Sequence, residues 1–141
     1  MQIFLDTASV KEIREVLPWG IIDGVTTNQK IFSAEKGANF QERVREILSL
    51  VNGPLSVELT KTSGTDDELV EEAREYSGWS PNIVIKVPMW GDGRGLRVAS
   101  RLEKMKIKTN MTCLMSTNQV FLASKIGATY ASIFYNRVGD S

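Results

Sequence analysis

Lys86 lies within Ile83-Val84-Ile85-Lys86-Val87-Pro88, a lysine in the middle of a β-branched apolar run. Such a run reads as a buried strand, where a charge is costly unless it is paired or neutralised. Burial disfavours the ammonium form of a lysine, and a neutral amine can attack a carbonyl to give a Schiff base. Two plainer readings stand beside it: a strand-end lysine that reaches solvent, or a structural ion pair with a carboxylate such as Glu58. Further polar residues, Asp6, Asn28, Glu58, Thr112 and Ser132, recur about every 20 to 30 residues, one βα period, each at or near the end of an apolar stretch. The sequence contains no histidine. That excludes Ser-His-Asp and Cys-His nucleophile systems and any histidine-ligated metal. A lone cysteine, Cys113, can form neither an internal disulfide nor a zinc cluster. The chemistry is therefore expected to rest on lysine, carboxylates, hydroxyls and amides, with no metal and no cofactor.

Short apolar strands alternating with amphipathic helices must position these residues. Ile3-Phe4-Leu5 ends at Asp6, and Ser9 with Glu12 predicts a capping box for a helix that stops before Pro18. Residues 21–25 predict a second strand, closing on Thr26-Thr27-Asn28. Asn39 is the expected cap of the next helix, whose Phe40, Val44, Ile47, Leu48 and Val51 recur at helical spacing. A third strand, 55–59, carries Glu58. Thr65 and Glu68 cap an acidic helix through Leu69, Val70 and Ala73 toward Tyr76. The Lys86 strand is the fourth, and a glycine-rich turn leads from it to a helix through Leu96, Val98, Leu102 and Met105. A fifth strand is expected near 107–111, carrying Asn110 with Thr112. Ser116 and Gln119 cap a helix ending at Gly127, and 129–134 is the sixth strand.

This order implies right-handed βαβ units and a parallel sheet. The expected fold class is α/β, a (β/α)8 TIM barrel, because the C-terminal ends of barrel strands converge on one face where active sites are built. An open doubly wound sheet would gather its site at one crevice instead of drawing a polar residue from every strand. About six of the eight βα units are present, in one domain over residues 1–141, whereas such a barrel typically takes about 200 residues or more. The chain is accordingly expected to be truncated or completed by association.

Composition narrows the setting. The 141 residues are 42% apolar and 24% charged, as in a soluble globular protein. Lys plus Arg and Asp plus Glu each count 17, and the pI is near 6.3, so no basic face points to nucleic acid or an anionic membrane. No apolar run can span a bilayer and no signal peptide opens the chain, so a reducing cytoplasm is expected. Asn110-Met111-Thr112 matches a glycosylation sequon, read as coincidence without a secretory signal.

The sequence resembles the small transaldolases and the closely related fructose-6-phosphate aldolases, class I Schiff-base enzymes on a TIM barrel. The resemblance is carried in order by Phe4-Leu5-Asp6-Thr7-Ala8, Gly24-Val25-Thr26-Thr27-Asn28, Val57-Glu58, Ile85-Lys86-Val87-Pro88, Thr109-Asn110-Met111-Thr112 and Phe134-Tyr135-Asn136-Arg137. It implies that Lys86 captures the carbonyl of a ketose phosphate and that Asp6 is the acid/base group at the scissile carbon–carbon bond. It further implies that Glu58 with Thr112 holds the water of imine formation and hydrolysis. Asn28, Asn110 and Ser132 would bind the dihydroxyacetone hydroxyls, and Arg137 the substrate phosphate. Glu58 and Phe134 fit the transaldolase pattern; the aldolases carry glutamine and tyrosine there. The implied function is transfer of a dihydroxyacetone unit from fructose 6-phosphate or sedoheptulose 7-phosphate to an aldose phosphate, in the pentose phosphate pathway. Sugar phosphates are the implied partners, and a homo-oligomer is implied if the full barrel is present.

Departures from the family pattern are equally specific. Gln29 stands where a proline usually follows Thr-Thr-Asn, and the loop of residues 89–95 is one residue longer than usual. Gly91-Asp92-Gly93-Arg94-Gly95 matches neither standard nucleotide loop and reads as a flexible βα loop, with Trp90 as a lid or pocket wall. Each site residue also has a structural reading: Asp6 as a helix cap, Asn28 as a turn residue, Glu58 and Lys86 as an ion pair, Arg137 as a solvated charge. The alternatives to a transaldolase are thus a fructose-6-phosphate aldolase, or a non-catalytic barrel fragment that binds sugar phosphates.

Overall fold

The structure is a computed structural model and describes residues 1–34 and 39–135. Six strands, β1 (Phe4–Asp6), β2 (Gly24–Thr26), β3 (Leu55–Glu58), β4 (Ile83–Pro88), β5 (Thr109–Leu114) and β6 (Tyr130–Ile133), form one parallel sheet in sequence order. The helices between them are α1 (Val10–Val16), α2 (Gln29–Ala34), α3 (Phe40–Leu50), α4 (Asp66–Ser77), α5 (Arg94–Lys104) and α6 (Thr117–Lys125). Laid flat, six strands would separate the first from the last by roughly 24 Å at the usual strand spacing. The rings of Phe4 on β1 and Tyr130 on β6 instead meet edge to face, with centroids 5.4 Å apart. The sheet is curled into part of a (β/α)8 barrel.

Alternation along each strand divides the residues between two faces. Val25, Leu55, Val57, Ile83, Ile85, Val87 and Met111 are buried outward, and form one core with Ile13, Val44, Ile47, Leu69, Ala73, Val98 and Leu102 of the helices. The inward face carries the polar residues. Two glycines permit the close approaches this needs. A Cβ on Gly24 would lie 2.5 Å from the Pro54 carbonyl and 2.6 Å from the Phe4 ring, so Gly24 makes the space in which that ring lies. A Cβ on Gly95 would lie 2.1 Å from the Pro88 carbonyl, so α5 starts hard against the end of β4.

The helix starts follow their capping residues. Thr65 and Glu68 form a complete capping box on α4. Asn39 caps α3 by accepting from the N–H groups of Gln41 and Glu42. Ser9 accepts from Glu12 N, but the Glu12 carboxylate turns to the Thr7 hydroxyl, so only half of the expected box forms. Likewise Ser116 accepts from Gln119 N while the Gln119 side chain takes Met115 N at 2.6 Å. The Glu103 carboxylate accepts from the N–H and hydroxyl of both Thr109 and Thr129, and so ties the starts of β5 and β6 together.

Three elements differ from the sequence reading. The second strand begins at Gly24 rather than at residue 21, because Ile21 is exposed and the ladder to β1 starts at Phe4. The fifth runs 109–114 rather than 107–111, because Lys106 is left-handed (φ +63°) and keeps Ile107 in the turn. Helix α2 was not expected; it follows directly on Asn28. No helix among the described residues is long and apolar enough to cross a membrane.

Candidate active site

Strand pairing sets the inward residues on two rungs, Asp6–Thr26–Ser56–Val84 and Glu58–Lys86–Asn110–Tyr130. Lys86 therefore lies between Glu58 and Asn110 on the concave face. It is 7% exposed, and its Nζ donates to the Thr27 carbonyl at 3.1 Å. Among the described residues no carboxylate is within ion-pairing distance of Lys86, so the structural Glu58–Lys86 pair does not form. Half-buried Glu58 instead accepts from Gln29 N, at Oε2 and 3.2 Å.

The turn from β2 into α2 governs this arrangement. Thr27 is buried and its N–H and hydroxyl both bind the Ser56 carbonyl, which fixes the direction of its own carbonyl toward Lys86. Asn28 Oδ1 accepts from Ile31 N at 2.9 Å and caps the first turn of α2, so the turn reading of this residue accounts for its oxygen. The Gln29 side chain donates to the Leu59 carbonyl at 2.7 Å. Three consecutive residues thus reach Lys86, the helix start and the end of β3.

Asn110, 3% exposed, joins three strands: its Nδ2 donates to Ser56 Oγ at 3.2 Å, and its Oδ1 accepts from Ser132 Oγ at 2.8 Å. Thr112 is 1% exposed, and its hydroxyl is buried with no hydrogen-bond partner among the described residues. A buried hydroxyl in that condition is costly, and marks a place suited to a small polar guest. Asp6 is exposed and accepts from Thr26 Oγ1 at 2.7 Å; the cap of α1 is Ser9, so the capping reading of Asp6 does not hold. A cavity of about 400 Å³ opens on the concave face between Thr26, Ser56, Asn110 and Ser132, with Phe4 and Tyr130 in its wall.

Phe134 lies just past β6, half-buried, with its N–H on the Leu114 carbonyl at 2.9 Å, and does not line that cavity. Arg137 falls outside the described residues. The 91–95 loop, read as flexible, is fastened: Arg94 donates to the Gly64 carbonyl at 2.8 Å, and its guanidinium lies 4.9 Å over the Trp90 ring. Trp90 packs there against the core rather than over the cavity.

Sequence reasoning gave no role to Thr26 or Ser56 and read Gln29 only as a departure from the family pattern, because short or backbone contacts leave no spacing signal. It also missed Glu72, 4% exposed on α4. That carboxylate accepts from Thr60 N and Tyr76 Oη, both at 2.7 Å, from Lys61 N at 3.2 Å and from the Thr60 hydroxyl, and so secures the chain leaving Glu58. Burial raises the Tyr76 phenol above its ordinary range; the hydrogen bond with Thr60 opposes it, and the bond to Glu72 adds a further upward push. One signal was available: Glu72 falls at helical spacing between Leu69 and Tyr76 on an otherwise apolar stripe.

Residues 3–141 match the family described as Transaldolase/Fructose-6-phosphate aldolase. Among curated proteins, the chain is 49% identical over 140 residues to a probable transaldolase of Streptococcus agalactiae serotype V. It is 46% identical to one of Clostridium tetani and 44% identical to one of Roseiflexus sp., each over 99% of this chain. The chain spans about 63% of the length of these relatives.

Proposed function

Because the chain belongs to the transaldolase/fructose-6-phosphate aldolase family, we propose that it carries the reacting centre of a transaldolase, which moves a dihydroxyacetone unit from a ketose phosphate to an aldose phosphate. The observation that carries this reading is Lys86: a buried amine on the concave face, held by a backbone carbonyl rather than by a counter-ion, with Glu58 and Asn110 beside it.

In its neutral form the Lys86 amine adds to the ketone carbon, forming a carbon–nitrogen bond while the carbonyl oxygen takes up a proton. Protonation of that hydroxyl and its loss as water give the protonated imine. Asp6 then removes the proton from the hydroxyl beside the scissile bond. The carbon–carbon bond breaks into the imine, releasing the aldose phosphate and leaving an enamine on Lys86. Addition of the enamine to the acceptor aldehyde returns the proton from Asp6, and water hydrolyses the new imine to free the amine. Glu58 and the buried Thr112 hydroxyl hold that water. Asn110 and Ser132, together with the amide nitrogen of Asn28, meet the sugar hydroxyls; Phe134 packs beside them, and Arg137 meets the phosphate. Glu58 and Phe134 favour transfer over simple aldol cleavage. The expected setting is cytoplasmic, in the pentose phosphate pathway.

The test is incubation with fructose 6-phosphate, reduction with borohydride and intact-mass analysis with peptide mapping. A sugar-derived adduct on Lys86 is expected. A folded protein with no adduct, or an adduct on another lysine, overturns the reading.

A further inference from the structure

We propose that Gln29 is a positioning residue that fixes the Glu58 carboxylate, an inference that rests on the transaldolase reading. Gln29 is the first residue of α2, and an N–H at that position has no acceptor within its own helix. Here it donates to Glu58 Oε2 at 3.2 Å, while the side-chain amide of the same residue donates to the carbonyl of Leu59 at 2.7 Å. One residue therefore holds both the carboxylate and the backbone immediately after it. The brace continues into β4, since Leu59 N donates to the Lys86 carbonyl at 3.2 Å and Lys86 Nζ reaches back to Thr27, two residues before Gln29. A proline, the residue that the resemblance expects here, has no N–H and no side-chain amide, and makes neither bond. Gln29 acts through Glu58 and does not need to touch the sugar.

Two variants separate the backbone contact from the side-chain contact. Gln29→Pro keeps a good helix start, because proline is favoured at the first helical position, yet removes both bonds. Gln29→Ala keeps the N–H and removes the side-chain bond to Leu59. Borohydride trapping over a series of fructose 6-phosphate concentrations gives a maximal rate and a half-saturating concentration for each. Gln29→Pro is expected to lower the maximal rate about tenfold, as for loss of one hydrogen bond to a charged group, with half-saturation unchanged. Gln29→Ala is expected to stay within about threefold of wild type. Equal loss in the two variants, no loss in Gln29→Pro, or a change confined to half-saturation overturns the proposal. Amide exchange decides it independently of turnover. The Gln29 N–H should exchange at least about tenfold faster in Glu58→Ala than in wild type, with the Ile31 N–H, held by Asn28, unaffected. Equal exchange of Gln29 in both proteins overturns the proposal. If the wild-type chain traps no sugar, the transaldolase reading fails by itself, and the exchange result alone decides the role of Gln29.

Discussion

Strands β4 and β6 belong to one sheet, yet all six residues of β4 are buried while those of β6 alternate between half-buried and exposed. β4 is paired on both sides and covered by α4 and α5. β6 pairs with β5 alone among the described residues, and the helix before it leaves Phe121 and Leu122 exposed at 69% and 44%. The other flank is similar, with Ile3, Trp19 and Ile21 exposed near β1. Lys86 thus stands where the chain encloses itself, and Asp6 and Ser132 stand on strands at the rim of the arc. Under the proposed mechanism, capture of the ketone belongs to the enclosed middle, while cleavage and sugar orientation draw on the flanks.

The largest expected contrast lies in the chemistry. Lys86→Met in β4 should abolish borohydride trapping with little loss of folding, whereas Asp6→Ala in β1 should still trap sugar while slowing carbon–carbon cleavage by about 100-fold or more. Trapping by Lys86→Met, or equal loss of both steps in Asp6→Ala, would erase the division between middle and flank. Next comes stability. Ile85→Ala, at a fully buried position of β4, should cost about 2–5 kcal/mol in urea unfolding, and Ile133→Ala in β6 less than about 1 kcal/mol. Similar costs would mean that β6 is as well packed in solution as β4.

A smaller effect should appear at high pH. The folded chain holds the Tyr76 proton more tightly than the unfolded chain, so this contribution is whole below about pH 10 and is lost as pH rises beyond it. Tyr76→Phe should flatten the alkaline fall of the urea midpoint; an unchanged fall would assign it to other groups. Smallest of all, Phe121→Ser should change unfolding free energy by no more than about 0.5 kcal/mol. A larger loss would show that the α6 face is covered in solution.

The same contrast governs what the sequence made legible. β4 and α4 could be read because a continuous apolar run and a complete capping box are strong local signals. Asp6, Glu58, Lys86, Asn110, Thr112 and Ser132 could be found as polar residues closing apolar strands, and strand pairing then brings Glu58, Lys86 and Asn110 onto one rung. Helix α2 was missed because Thr27-Asn28-Gln29 has turn chemistry, and Ile31 and Phe32 are the only large apolar residues in its six. The start of β5 was misplaced because apolar Ile107 looks like strand, while the left-handed Lys106 and the Glu103 staple decide the boundary. The support around Lys86 was not legible at all. It consists of the Thr27 carbonyl, the Gln29 N–H and the Ser56 hydroxyl, groups whose role depends on which strands become neighbours.

The meeting of Phe4 with Tyr130 sets an order in time. It joins residues near opposite ends of the described chain, so made alone it would close a very long loop, and alignment of the intervening strands lowers that entropic cost. The ring pair is therefore the latch of the arc; a contact completed late in folding would be expected to slow the opening of the curled sheet more than it speeds assembly, and Phe4→Leu, followed by unfolding and refolding rates, tests that.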